Sequence, residues 1–278
     1  MAADEAPLEE QVTYDEAGGV AWITINAPDQ GNALTMSRRD RLTELFQQAS
    51  ASLAVRAVVL TAAGDRHFCT GAALGGPRTA PPDRPEGAPE RAVGDAARLI
   101  REGWQRLVSS ILDCEKPVVA AVNGTAAGGG AQLVLACDLV VMADTARFIE
   151  VFVRRGIMPD AGGAYLLPRL VGLHKAKELM FLGEDVPAGE ALRIGIANRV
   201  VPAAELIVEV EALASRLAEA PTRALAMTKW LLNRSFESDR RTAFEEEAFA
   251  QELVNGTDDA REGMAAFVER RAPAFRGW

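Results

Sequence analysis

Three turns rich in small residues hold the groups with which this sequence could do chemistry. The first, Asn123-Gly124-Thr125-Ala126-Ala127-Gly128-Gly129-Gly130-Ala131-Gln132, joins a β-branched stretch to the apolar run Leu133-Val134-Leu135-Ala136. Glycine lets backbone approach a ligand closely, and the first turn of the following helix leaves amide donors unpaired at the positive end of its dipole. Such a turn suits negative charge, and it equally suits tight packing of a strand against a helix. It lacks the Gly-Lys-Ser/Thr ending of a phosphate-cradling loop and the first-strand context of a dinucleotide fingerprint. The second turn, His67-Phe68-Cys69-Thr70-Gly71-Ala72-Ala73-Leu74, offers further free amides. Two amides converging from separate loops make an oxyanion hole, which stabilises charge developing on a carbonyl oxygen. The third turn, within residues 156–172, places Asp160 between a proline and small residues, where aspartate is suited to cap a helix beginning near Ala161.

The elements that must position these turns follow from hydrophobic period. Residues 20–25 alternate like a half-buried strand, and 57–61, 118–122 and 139–142 are short β-branched runs suited to buried strands. Helical spacing separates them. Ser37 opens one helix whose face continues through Leu42, Leu45 and Phe46; Leu99, Ile100, Trp104, Leu107, Val108, Ile111 and Leu112 line another. This alternation is the signature of βα units. Residues 75–90, with five prolines and three glycines, read as a mobile loop that shapes a pocket beside the second turn. After Pro202 strand patterns stop: Leu206, Ile207, Val210, Leu213, Ala214 and Leu217 form one helical stripe, and 222–236, 239–254 and 258–270 also read as helices. The expected organisation is an α/β body over residues 1–203 and a helical part over 204–278.

Composition narrows the function. The chain has 278 residues, 30 basic against 39 acidic for a net charge of −9, with 49% hydrophobic and 25% charged residues, so collagen, disordered and disulfide-scaffold classes fall away. An acidic chain without a basic stripe is not expected to bind nucleic acid. Cys69, Cys114, Cys137, His67 and His174 show no metal-like spacing, so no metal site is expected. The uncharged stretch between Lys116 and Asp138 approaches the length of a membrane helix, but Asn123-Gly124-Thr125 and Gly128-Gly129-Gly130 break it into strand, loop and buried helix. The acidic N-terminal sequence reads as neither signal nor transit peptide, which makes the cytoplasm the expected location.

The order of Asn32-Ala33-Leu34, Phe68-Cys69-Thr70-Gly71, Lys116-Pro117-Val118-Val119-Ala120-Ala121-Val122-Asn123-Gly124, Gly128-Gly129-Gly130, Cys137-Asp138-Leu139 and Pro159-Asp160-Ala161-Gly162-Gly163 resembles the crotonase superfamily, the enoyl-CoA hydratase/isomerase family. The resemblance covers essentially the whole chain, and residues 263–275 resemble the family's last helix. It implies a crotonase-like spiral of ββα units with a helical C-terminal trimerisation region, assembled as a homotrimer or a dimer of trimers. By the same resemblance the backbone amides of Ala72 and Gly129 hold the thioester oxygen of an acyl-CoA substrate and stabilise its enolate. Thr70, Gly71 and Gly128 flank them, and Ala33 belongs to the same binding surface. No cofactor is implied, coenzyme A being part of the substrate. Its phosphates are expected to meet Arg270, beside Phe267 in the last helix and often reaching a neighbouring subunit's ligand, with Lys229 as a further candidate; each cation equally reads as an ordinary solvated side chain.

Two departures decide the expected reaction. The family's hydratases share one water between two glutamates, whose positions fall here at Gln132 and Phe152. Gln132 can hydrogen-bond a water or a substrate group but cannot exchange a proton, and Phe152 fills space. Asp160 falls where isomerising and dehalogenating members place a working aspartate, and it resembles the Pro-Asp of ring-epoxide isomerases acting on phenylacetyl-CoA derivatives. One carboxylate suffices to move a proton from one carbon to another, and burial beside Phe152 would strengthen it as a base. Glu150 is a reserve candidate, on the face of Phe152 if the stretch is extended, although pairing with Arg147 or Arg154 explains it more simply. His67 lies near the second turn without a chemical task. The expected activity is therefore isomerisation of an enoyl-CoA or ring-epoxide acyl-CoA by Asp160. The alternatives are hydration in fatty-acid or aromatic acyl-CoA breakdown with non-standard groups, and acyl-CoA binding without turnover.

Overall fold

The computed structural model describes residues 6–73, 85–89 and 93–278, so most of the Pro- and Gly-rich segment at 75–90 lies outside the described residues. Two sheets share the strands. Val12–Ala17 (β1) pairs antiparallel with Val20–Ile25 (β2), and Ala57–Ala62 (β3), Val118–Val122 (β5), Leu139–Ala143 (β7) and Arg199–Val201 (β10) follow in parallel. The second sheet orders His67–Cys69 (β4), Thr125–Ala127 (β6) and Arg147–Ile149 (β8) in parallel, closed by antiparallel Asp185–Pro187 (β9). Three times in succession the chain lays one strand in the large sheet and the next in the small one: β3 then β4, β5 then β6, β7 then β8. This is the ββα spiral.

The central strands β3 and β5 are buried along their whole length, which is why they read as unbroken apolar runs. The three-residue strands of the small sheet are too short to show a period, and sequence reading missed them together with β1 and β10. Among the described residues twelve α-helices accompany the strands: Leu8–Gln11 (α1), Met36–Ala51 (α2), Asp95–Ile100 (α3), Arg106–Leu112 (α4), Gly129–Ala136 (α5), Gly163–Val171 (α6), Leu173–Leu182 (α7), Ala188–Arg193 (α8), Leu206–Ala218 (α9), Thr222–Arg234 (α10), Arg240–Asn255 (α11) and Asp258–Glu269 (α12). Helix α2 starts at Met36 because Thr35 caps it, its side chain accepting from the Arg38 amide at 3.2 Å. The helix expected through 99–112 is interrupted by a π-helical turn at Arg101–Gln105. Such turns widen a helix and commonly occur at functional sites.

The spiral's crossings explain several motifs. Asn123 Nδ2 donates to the carbonyls of Ala62 and Gly64, at 2.8 and 2.6 Å, and a side chain at Gly124 would lie 2.5 Å from the Arg66 backbone. Asn-Gly is thus required where the loop after β5 passes the loop after β3. Buried Asn32, at φ 51°, accepts from the Ala27 amide and donates to the carbonyls of Ala63 and His67, which pins the entry to α2 against the start of the second turn. Helix α9 packs across β2, β3, β5 and β7, with Leu206, Val210, Leu213, Ala214 and Ala218 in the core of the spiral. Helices α10 to α12 lie further out. The C-terminal tail returns to the body, where Arg56 donates to the carbonyls of Ala220 and Phe275 at 2.7 and 3.0 Å.

Candidate active site

The two glycine turns meet. A side-chain carbon at Gly71, whose φ is 94°, would stand 3.0 Å from the Gly129 amide nitrogen and 3.1 Å from the Ala127 carbonyl, so glycine is required on both conformational and steric grounds. Ala72 bridges Leu34 in parallel: the Leu34 amide donates to Gly71 and the Ala73 amide to Leu34. Because hydrogen bonding alternates along a parallel strand, the Ala72 amide points away from that partner. Gly129 is the first residue of α5, after Gly128 at φ 55°, and its amide has no carbonyl one turn earlier to bond. The backbone next to Ala72 and the Gly129 amide are thus brought side by side.

The surrounding wall comes from the π-turn. Trp104 lies so close over Gly129 that a side-chain carbon there would fall 2.2 Å from the indole ring, while Gln105 Nε2 reaches the Asp160 carbonyl at 3.5 Å. Sequence periodicity assigned Trp104 to an ordinary helix face; only the extra residue of the π-turn and the packing of that helix on α5 bring it to this position. Phe152 is buried and lies 4.0 Å from where a Gly128 side chain would begin.

Asp160 does not cap a helix. Gly162, at φ 89°, occupies the N-cap position of α6, and no side chain caps that end. The Asp160 carboxyl is left half-buried, and burial holds its pKa above the ordinary aspartate value, partly opposed by its own backbone amide. Glu150 corrects the sequence expectation. Strand β8 ends at Ile149 and Glu150 leads into a 3-10 turn at Val151–Arg155, so it is not on an extended face with Phe152. Both arginines expected to pair with it bind Asp185 instead, Arg147 at 3.2 Å and Arg154 at 2.7 Å. Glu150 is 1% exposed and takes the Gln132 amide nitrogen on both carboxylate oxygens at 3.0 Å; burial pushes its pKa up to about 7, against the lowering effect of that bond. These partners lie 18 positions apart, a spacing that gives no periodic signal in the sequence, so their pairing is a product of the fold.

The remaining candidates divide. Thr70 donates its hydroxyl to the Gly31 carbonyl at 3.0 Å, and the Ala33 carbonyl accepts from Arg38 at 2.9 Å, so both brace the second turn. His67 lies in β4 beside Gly31, its Nδ1 buried and without a hydrogen-bond partner among the described residues. Lys229 is neither a free nor a solvated cation. Its ammonium bonds the carbonyls of Ile111 and Lys116 and the Asp138 carboxylate, at 2.9, 3.3 and 2.8 Å, and Asp138 also accepts from the Val118 amide. Cys137-Asp138 is therefore a structural motif fastening α10 to β5. Phe267 is 81% exposed on α12, and Arg270, at φ 57° just past the helix, makes no ion pair among the described residues. No helix among the described residues is long and apolar enough to cross a membrane, and none of their side chains cluster as a candidate metal site.

A spiral of ββα turns that brings Gly71 against Gly129 has the crotonase fold. A solved structure of an enoyl-CoA hydratase from Bacillus anthracis matches it at a TM-score of 0.85, with 32% identity, over 96% of this chain and 100% of that one. The family model described as enoyl-CoA hydratase/isomerase matches residues 15–277, and the chain belongs to that family. Relatives include a protein of Rhodobacter capsulatus described as a "Probable enoyl-CoA hydratase", 37% identical over 96% of this chain and 98% of its own length. Another is the 1,2-epoxyphenylacetyl-CoA isomerase of Escherichia coli, 35% identical over 93% of this chain and 95% of its own length.

Proposed function

We propose that the protein isomerises enoyl-CoA or ring-epoxide acyl-CoA thioesters. The amides of Ala72 and Gly129 polarise the thioester carbonyl and hold the enolate oxygen, while Asp160 takes a proton from one carbon and returns it to another. The observation that carries this reading is the state of the three acidic or amide groups around the turns. Gln132 cannot transfer a proton, Glu150 is enclosed and bonded to Gln132, and Asp160 is half-buried with a strengthened carboxylate. Hydration requires a group that also delivers water, and Phe152 occupies the position of one of the two glutamates that do so in the family's hydratases. Isomerisation requires one base.

Binding of coenzyme A phosphates falls to Arg270, with Phe267 against the nucleotide, in a neighbouring subunit of a trimer or a dimer of trimers. Support for assembly comes from exposed Phe244, Phe249, Met264, Phe267 and Val268 on the outer helices and Phe236 in the turn between α10 and α11. No cofactor enters the reaction. A hydratase reading is favoured by relatives described as enoyl-CoA hydratases and by burial that pushes the Glu150 pKa up to about 7.

The test is turnover of a 3-enoyl-CoA, a 2-enoyl-CoA and 1,2-epoxyphenylacetyl-CoA by the unaltered protein and by Asp160→Asn. Isomerised product, reduced on the order of 100-fold or more in the variant, is expected. Hydration of the 2-enoyl-CoA that persists in Asp160→Asn would overturn the reading in favour of Glu150, and thioester binding without any turnover would make the protein a binding member of its family.

A further inference from the structure

Gln132 and Glu150 form a closed pair with one loose end. Both are buried, at 0% and 1% exposure, and the amide nitrogen is fully engaged by the carboxylate. The amide oxygen has no hydrogen-bond partner among the described residues. It presses on the first residue of α6, where a side-chain carbon at Gly163 would stand 2.3 Å away. Gly163 is three residues past Asp160, and Gln132 is three past Gly129, hence one turn along the same face of α5 and about 4.5 Å further along its axis. Side chains on a helix lean back towards its N-terminus, which brings the Gln132 amide to the level of the oxyanion turn.

We propose that Glu150 is a positioning residue: by holding the Gln132 amide nitrogen on both carboxylate oxygens, it fixes the Gln132 carbonyl oxygen towards the turn that carries Asp160, as a hydrogen-bond acceptor for an O–H group in the bound state. A primary amide free to turn would present either its donor or its acceptor. Once ionised, above about pH 7, the carboxylate accepts only and so selects one orientation. A buried acceptor left unpaired is costly, and a donor supplied with the substrate removes that cost. That donor is an O–H, either a hydroxyl of the acyl group or a water enclosed with it. The side-chain-free Gly163 leaves room for this orientation.

The experiment uses the full chain with Gln132→Leu, Glu150→Leu and the double variant, in which two apolar groups replace the polar pair and leave nothing unpaired. The catalytic arm rests on the isomerase reading. There, Glu150→Leu lowers kcat about tenfold with KM little changed, and adds less than twofold once residue 132 is leucine, because Glu150 acts only through Gln132. An equal loss in both backgrounds overturns the proposal. The binding arm does not need turnover: affinities of butanoyl-CoA and of its 3-hydroxy and 4-hydroxy derivatives are measured for each protein. Butanoyl-CoA affinity reports that the thioester site is intact. A hydroxyl preference of about tenfold, lost equally in all three variants, supports the proposal and names the acyl hydroxyl as donor. Equal affinities with a non-additive kcat cycle support it with water as donor. A preference that survives Glu150→Leu overturns it. Should nothing be turned over, the isomerase reading fails by itself and the affinities alone decide, equal affinities then counting against the proposal.

Discussion

Glu150→Gln isolates what it costs this fold to enclose a carboxyl. The folded-state value of about 7 stands against an ordinary 4.5, and at about 1.4 kcal/mol per pH unit the gap corresponds to about 3 kcal/mol. The sign follows from proton binding. Below pH 4.5 the carboxyl is neutral in both folded and unfolded chains and costs nothing by ionising. Between 4.5 and about 7 the unfolded chain releases its proton while the folded chain keeps it, so stability falls as pH rises; above about 7 the loss is complete. Glutamine does not titrate, and its oxygen still accepts from Gln132. The variant is therefore expected to gain on the unaltered protein by about 3 kcal/mol between pH 4.5 and 8, which at about 2–4 °C per kcal/mol is on the order of 6–12 °C in Tm. Thermal unfolding of both proteins at one concentration, in steps from pH 5 to 8, measures it. A difference in Tm that stays constant across that range would refute the argument, because it would mean that Glu150 does not change its charge within the fold.

Other expectations test the remaining parts of the site. Gly71→Ala introduces a carbon 3.0 Å from the Gly129 amide at a φ of 94°, and should lower kcat on the order of 100-fold by spreading the oxyanion turns; unchanged kcat would remove those amides from the mechanism. Lys229→Met leaves Asp138 enclosed without its cation and should destabilise the protein by about 3 kcal/mol in denaturant unfolding, while coenzyme A affinity of the folded protein stays the same. Arg270→Ala should raise the KM of every acyl-CoA severalfold without altering kcat, and the effect should disappear for a substrate analogue lacking the nucleotide 3′-phosphate.

The sequence by itself determined a great deal here, for physical reasons that can be named. Buried parallel strands favour β-branched runs, and β3, β5 and β7 stood out accordingly, while β2 showed by its alternation. Glycines at 71 and 128–129 are demanded by close backbone approach, so the two turns could be marked from residue types, while their reading as an oxyanion hole came from the family resemblance. The absence of carboxylates at 132 and 152 needs no coordinates either. What only the tertiary structure decided were relations between residues distant along the chain. Asp185 took the arginines and so released Glu150 to Gln132; a π-turn swung Trp104 over Gly129; Asp138 drew Lys229 inward from a helix surface. Local pattern records which face of an element is buried. It does not record which polar groups will be enclosed together, because that depends on how separate elements cross, and a buried charge binds whichever partner the crossing supplies.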